Sequence, residues 1–206
     1  MNLMKIFSLR VLLALSMLCG AGQALAGPVY RVTIDTAALA GKSGYLDFLL
    51  LGLASAEPLE ASIGNFRGDF TGASFATGDA GGGVGGLVTI GNGAAWNEFG
   101  QWANFGGVFG FDISFSTGSG MGAGSNLGIA LLDADFGYLG TAADVVSFAV
   151  QPGADIAVSL EAGVASVRIV PEGEVPEPST VLQGLTGLLM GAVARRRVRG
   201  NRAFAR

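Results

Sequence analysis

Phe109-Gly110-Phe111-Asp112-Ile113-Ser114-Phe115-Ser116 is the stretch that decides the fold class. Large apolar residues at 109, 111, 113 and 115 alternate with Gly, Asp and Ser, and a period of two is that of a strand with one face buried and one face in water. The same alternation recurs on either side. Tyr30, Val32 and Ile34 alternate with Arg31, Thr33 and Asp35, and shorter runs follow at Leu46/Phe48/Leu50, Leu127/Ile129/Leu131, Val146/Phe148/Val150, Ile156/Val158/Leu160 and Ala165/Val167/Ile169. Turn-forming clusters separate them at Gly41 to Gly44, Gly78 to Gly86, Gly91 to Gly93, Thr117 to Ser125 and Pro152-Gly153. Strands at this spacing with few helix signals predict an all-β domain, an antiparallel, jelly-roll-like β-sandwich. Ala94 to Asn104 breaks the pattern and reads as a helical turn or a loop carrying Trp96 and Trp102.

Composition narrows the chemistry. The chain of 206 residues has 35 Gly, no His, and one Cys, Cys19, which lies in the N-terminal apolar segment. The remainder therefore lacks the usual general base at neutral pH, thiol nucleophiles, disulfides and zinc sites built on His or Cys. The net charge of −4 conceals an asymmetry. All 16 acidic residues lie between Asp35 and Glu177, whereas the centre holds only Arg31, Lys42, Arg67 and Arg168, a local balance near −12. Such a surface repels nucleic acid phosphates. It suits an extracellular domain, with cation binding as an option.

The two ends read as addresses. Lys5 and Arg10, the apolar run Val11 to Leu18 and the small-residue pattern Ala24-Leu25-Ala26 form a secretory signal peptide with cleavage expected before Gly27. Leu18 stands before Cys19 where a lipoprotein signal wants a small residue. At the other end, Val175-Pro176-Glu177-Pro178-Ser179-Thr180 precedes an uncharged apolar run, Val181 to Ala194, and the cluster Arg195-Arg196-Arg197. The prolines hold an extended segment that an enzyme can grip, Ser179 or Thr180 can cap a helix, and the arginines favour the cytoplasmic side of a membrane. The predicted organisation is a signal peptide over 1–26, a glycine-rich β domain over 27–173 and a tail over 174–206, with a transmembrane helix at about 179–197.

This tail resembles the PEP-CTERM sorting signal, with its Pro-Glu-Pro motif, hydrophobic helix and terminal arginine cluster in the expected order. The resemblance implies processing by signal peptidase and then by an exosortase, a membrane cysteine transpeptidase acting near Pro176-Glu177-Pro178. It also implies transient anchoring in the inner membrane of a Gram-negative bacterium that makes exopolysaccharide. Tyr30 to Leu51, with its Tyr-Arg-Val-Thr-Ile-Asp-Thr and Ser-Gly-Tyr-Leu-Asp-Phe blocks, resembles an N-terminal domain shared by a group of PEP-CTERM proteins. That likeness bears on architecture rather than activity.

Few residues of the β domain single themselves out chemically. Ala40-Gly41-Lys42-Ser43 imitates the end of a phosphate-binding loop, but Thr36 stands where its first Gly belongs, so it reads as a turn. Asp133 and Asp135 would share a face if they lay on a strand, a spacing compatible with a carboxylate pair or a calcium site, and otherwise with a solvated strand end. Asp79, in its glycine loop, is a second calcium candidate. Trp96 and Trp102, with Phe99 and Phe105, either plug the core, the commoner role, or stack on sugar rings. The expectation is a non-enzymatic surface or matrix protein, structural or adhesive, without cofactor and associated with exopolysaccharide. The alternatives are a carbohydrate- or calcium-binding module and, remotely, a secreted hydrolase.

Overall fold

Why the alternating segments become strands is visible in what each face meets. A computed structural model describes residues 27–170 apart from 54, 118, 119 and 121. The segments expected to be a signal peptide and a sorting tail lie outside the described residues. Twelve strands follow one another: β1 Val29–Asp35, β2 Ser43–Gly52, β3 Leu59–Arg67, β4 Phe70–Thr77, β5 Ala80–Gly82, β6 Val88–Gly91, β7 Trp96–Asn104, β8 Val108–Thr117, β9 Ser125–Leu132, β10 Val146–Val150, β11 Ala157–Leu160 and β12 Ala165–Val170. One 3-10 turn, Ala37–Leu39, is the only helical element among the described residues. The strands form two six-stranded antiparallel sheets, in the orders β12-β1-β8-β3-β6-β5 and β11-β10-β9-β2-β7-β4. The all-β, antiparallel expectation is met.

The deciding stretch lies in β8, where Phe109, Phe111, Ile113 and Phe115 are buried. Their partners come from the facing sheet. Phe111 meets the edge of Phe48 with ring centroids 5.1 Å apart, and Phe115 and Tyr30 both lie against Phe148. One apolar cluster thus joins Val32 and Ile34 of β1 and Ile63 of β3 to Leu46, Phe48 and Leu50 of β2 and Leu127 and Ile129 of β9. Burial of this kind stabilises by about 25 cal/mol for each Å² of apolar surface removed from water.

None of the first four strands pairs with another of the four. β1 lies between β8 and β12, β2 between β7 and β9, and β3 between β6 and β8, while β4 pairs with β7. Ala94 to Asn104 is corrected by the structure: most of it is strand β7, in register with β2 from Trp96↔Leu51 to Asn104↔Ser43. Asn97 and Gln101 point inward beside Phe99 and Ala103, which erases the apolar alternation. Asn97 is kept inside by its amide, which donates to Leu50 O and Ala94 O and accepts from Asp79 N and Ala94 N. The cluster Gly78 to Gly86 also holds the short strand β5, which pairs with β6.

The outer face of the first sheet carries its ionic chemistry. Arg31 on β1 stands opposite Asp112 on β8, with Nε donating to Oδ1 at 2.7 Å and Nη2 to Oδ2 at 3.0 Å. Asn65, at φ 55° where β3 bulges between Gly64 and Arg67, donates a further hydrogen bond to Asp112 Oδ2. The Arg31 guanidinium, then Asn65, hold the Asp112 carboxyl below its ordinary range. A depressed carboxylate pKa gives stability that is present above the unfolded value and lost as pH falls through the folded one. Asp112→Asn should therefore cost about 1–2 kcal/mol at pH 7 and progressively less as pH falls below the ordinary carboxylate range. Thermal melts of the two proteins across this range check this, and an equal loss throughout would refute the ionic origin.

Candidate functional site

The second sheet turns a different face to solvent. Leu46, Phe48 and Leu50 of β2 enter the core, so Tyr45, Asp47, Leu49 and Leu51 point outward. β7 does the same with Trp96, Glu98, Gly100 and Trp102, opposite Leu51, Leu49, Asp47 and Tyr45 respectively. On the other side of β2, Asp47 faces Ala130 and Leu49 faces Gly128 of β9. Asp47 thus sits on the floor of this face between two small residues.

Two glycines make room for what surrounds it. A Cβ on Gly100 would run into the Phe75 ring of β4, and one on Gly128 into the Asp144 carboxylate. Phe75 therefore lies over β7, and Asp144 over β9, on either side of β2. Asp144 belongs to the connection between β9 and β10, which folds back over the sheet through the Leu132↔Tyr138 bridge and the Leu139 N–H to Leu131 O bond. Tyr138 in that connection donates its hydroxyl to Asp144 Oδ1 at 3.2 Å.

An aromatic group occupies one end of the face. Tyr45 meets Trp102 edge-on at 4.8 Å and Phe75 edge-on at 5.2 Å, and stacks on Phe136 at 5.4 Å with the rings within 5° of parallel. Phe136 is 54% exposed, and Trp96, at the other end, 51%. Trp96 Nε1 donates to Glu98 Oε2 at 2.8 Å.

The electrostatics of this face are one-sided. Asp47 is only 3% exposed and its Oδ1 receives no hydrogen bond. Burial, then the neighbouring Glu98 carboxyl, then Asp144, push the Asp47 carboxyl up to about 8. Burial also raises Asp144, against the opposing hydrogen bond from Tyr138. No Lys or Arg occurs in the six strands of this sheet, whereas Arg31, Arg67 and Arg168 all belong to strands of the other. Asp47 therefore keeps its proton to higher pH than an ordinary carboxylate.

The residues singled out from sequence are distributed as follows. Trp96 and Trp102 share the outer face, with Trp102 partly covered by Tyr45, while Phe99 and Phe105 are the two rings that enter the core. Asp133 and Asp135 do not share a strand face, because β9 ends at Leu132. Asp133 Oδ1 instead accepts the N–H groups of Asp135 and Gly137, and the turn so braced holds Phe136 at φ 62°. Asp79 lies at the β4–β5 turn, where its Oδ2 accepts from Gly93 N and its own N–H donates to Asn97. The structure does not bring Asp79 to Asp133 or Asp135, and among the described residues no group of three or more carboxylates is arranged to hold a metal ion. Gly41-Lys42-Ser43 is the turn leading into β2, with Gly41 at φ 80°. Ala24, Ala26, the motif Val175 to Thr180 and Arg195 to Arg197 lie outside the described residues, and Gly27 is exposed at their border. Among the described residues no helix is long and apolar enough to cross a membrane.

Sequence reasoning missed Asp47, Glu98, Asp144, Tyr45, Phe75, Phe136 and Tyr138. The signal available for the first was an acid in the middle of the apolar run Tyr45 to Leu51. No family model, curated protein or solved structure matches the chain.

Proposed function

We propose that this is an exported cell-surface or extracellular-matrix protein, sorted by an exosortase through its C-terminal motif, whose β domain attaches without catalysis to exopolysaccharide. The observation that carries the adhesive part is the outer face of the second sheet, where Trp96 and the Phe136–Tyr45 stack flank the buried Asp47 carboxyl. Exposed rings complement the C–H faces of sugars, and polar groups between them fix orientation. We also infer that the two sheets form a jelly-roll β-sandwich. The pairings β1·β8, β2·β7 and β3·β6 support this, since they are those of a long antiparallel hairpin rolled upon itself.

Two measurements test this reading. Intact mass of the protein from its host should show a form starting at Gly27 and ending near Pro176–Pro178, and that C-terminus should be lost in a host without exosortase. A form retaining Arg206 in both hosts would refute sorting. Separately, Trp96→Ala should weaken retention on the host's purified exopolysaccharide by about three- to tenfold in a sedimentation assay, at unchanged melting temperature. Unchanged retention would remove this face from the adhesive role.

A further inference from the structure

The ligand class can be narrowed, on the reading that the outer face of the second sheet binds a polysaccharide. We infer that this face selects sugars bearing a free, protonated amine, such as a hexosamine polymer that has lost its N-acetyl groups. Three observations carry the inference. Asp47 Oδ1 is buried on the floor of the face with no donor. Glu98 and Asp144 flank it from β7 and from the β9–β10 connection, and Tyr138 covers Asp144. No lysine or arginine on any strand of the sheet answers these carboxyls.

The free protein meets this deficit by keeping a proton on Asp47, whose carboxyl is held above the ordinary range by burial, Glu98 and Asp144. A ligand ammonium placed over Leu49, between Glu98 and Asp144, supplies the same positive charge together with N–H donors. The Asp47 proton then leaves to solvent as the ammonium binds, and no bond to carbon changes. The rings that border the carboxyls add the second half of the recognition, since aromatic faces attract both sugar C–H groups and cations. An N-acetyl group removes the charge, and a plain hydroxyl supplies a donor without it. The selectivity is thus for the amine rather than for the sugar ring alone.

The test uses the mature protein isolated from its host, with titration calorimetry against equal-length oligomers of glucosamine, N-acetylglucosamine and glucose at pH 6. Glucosamine oligomers are expected to bind about tenfold tighter than either neutral series. Asp47→Asn and Glu98→Gln should each bring that ratio to near one while leaving the weaker neutral binding in place, and Trp96→Ala should weaken all three. In two buffers of different ionisation heat, glucosamine binding should show net proton release, a readout that mere surface attraction does not give. Equal binding of all three series overturns the amine selectivity and leaves the adhesive reading standing. Binding of none overturns both. Poly-lysine binding as tightly, with the same loss in Asp47→Asn, would show that the face reads charge and not an amino sugar, and would overturn the inference.

Discussion

Replacing Asp47 by asparagine is expected to raise the melting temperature at pH 8 by about 6 °C and to leave it nearly unchanged at pH 4. The folded-state pKa of Asp47 is raised to about 8 by burial and by Glu98 and Asp144, against about 3.9 in an unfolded chain. Between these values the folded protein keeps a proton that the unfolded chain has released. Stability is therefore complete below the unfolded pKa and declines as pH rises toward the folded one. The substituted amide has no proton to lose, matches the carboxyl in shape, and can donate to Glu98. Each pKa unit corresponds to about 1.4 kcal/mol, and a gain of about 2 kcal/mol at pH 8 allows for readjustment of Glu98 and Asp144. Thermal melts of both proteins from pH 4 to pH 9 decide the matter. A wild-type midpoint that stays flat over that range, or an Asp47→Asn protein that melts lower at pH 8, would sink the account.

Phe48→Ala is expected to cost about 4 kcal/mol, enough to leave the domain loosely packed or unfolded at 37 °C. Phe48 is fully buried in the middle of β2 and is one of the rings through which the second sheet meets the first, against Phe111 at 5.1 Å and Phe66 at 6.2 Å. Removing it opens a cavity between two sheets whose backbones are fixed by pairing on both sides, so neither can move in to fill it. Chemical denaturation and near-ultraviolet dichroism report the loss. Phe136→Ala supplies the contrast, since its ring is half exposed and stacks only on the surface, and it should cost under about 1 kcal/mol. Comparable losses in both would mean that the core is not where the contacts place it.

Seven strands were legible in the sequence, β1, β2 and β8 to β12, each through apolar residues at alternate positions; β3, β4 and β6 were not read, although Leu59, Ala61, Ile63, Val88 and Ile90 are buried. Phe109 to Phe115, Tyr30 to Ile34 and Val146 to Val150 alternate cleanly and became β8, β1 and β10. β7 was hidden because Asn97 and Gln101 take inward positions that its pattern would reserve for apolar residues, and their amides are satisfied in part by chain segments distant in sequence, at Leu50 and Thr71. β5 was hidden because Ala80, Gly81 and Gly82 carry no pattern at all. The site was less legible than the fold. Trp96 and Trp102 were visible as ring-bearing residues, but their common face followed only once their segment was known to be a strand. Asp47 acquires its raised pKa from burial, then from Glu98, 51 positions away, and Asp144, 97 positions away, and only the register of β2 with β7 and β9 brings them together.

The pairing of the first four strands only with later ones sets the order of events when the chain emerges N-terminus first, from a ribosome or through a membrane. Residues 29 to 77 appear with no partner for any of their backbone edges. β3 can begin to pair only when Val88–Gly91 follows, β2 and β4 only when Trp96–Asn104 follows, and the free edge of β1 closes last, with Ala165–Val170. Contacts this distant in sequence form slowly, because loop closure precedes any gain from pairing. Until Val88–Gly91 has appeared, the emerging chain has no strand pairing in which to stall. The last pairing brings the two ends of the domain side by side, Val29 opposite Val170.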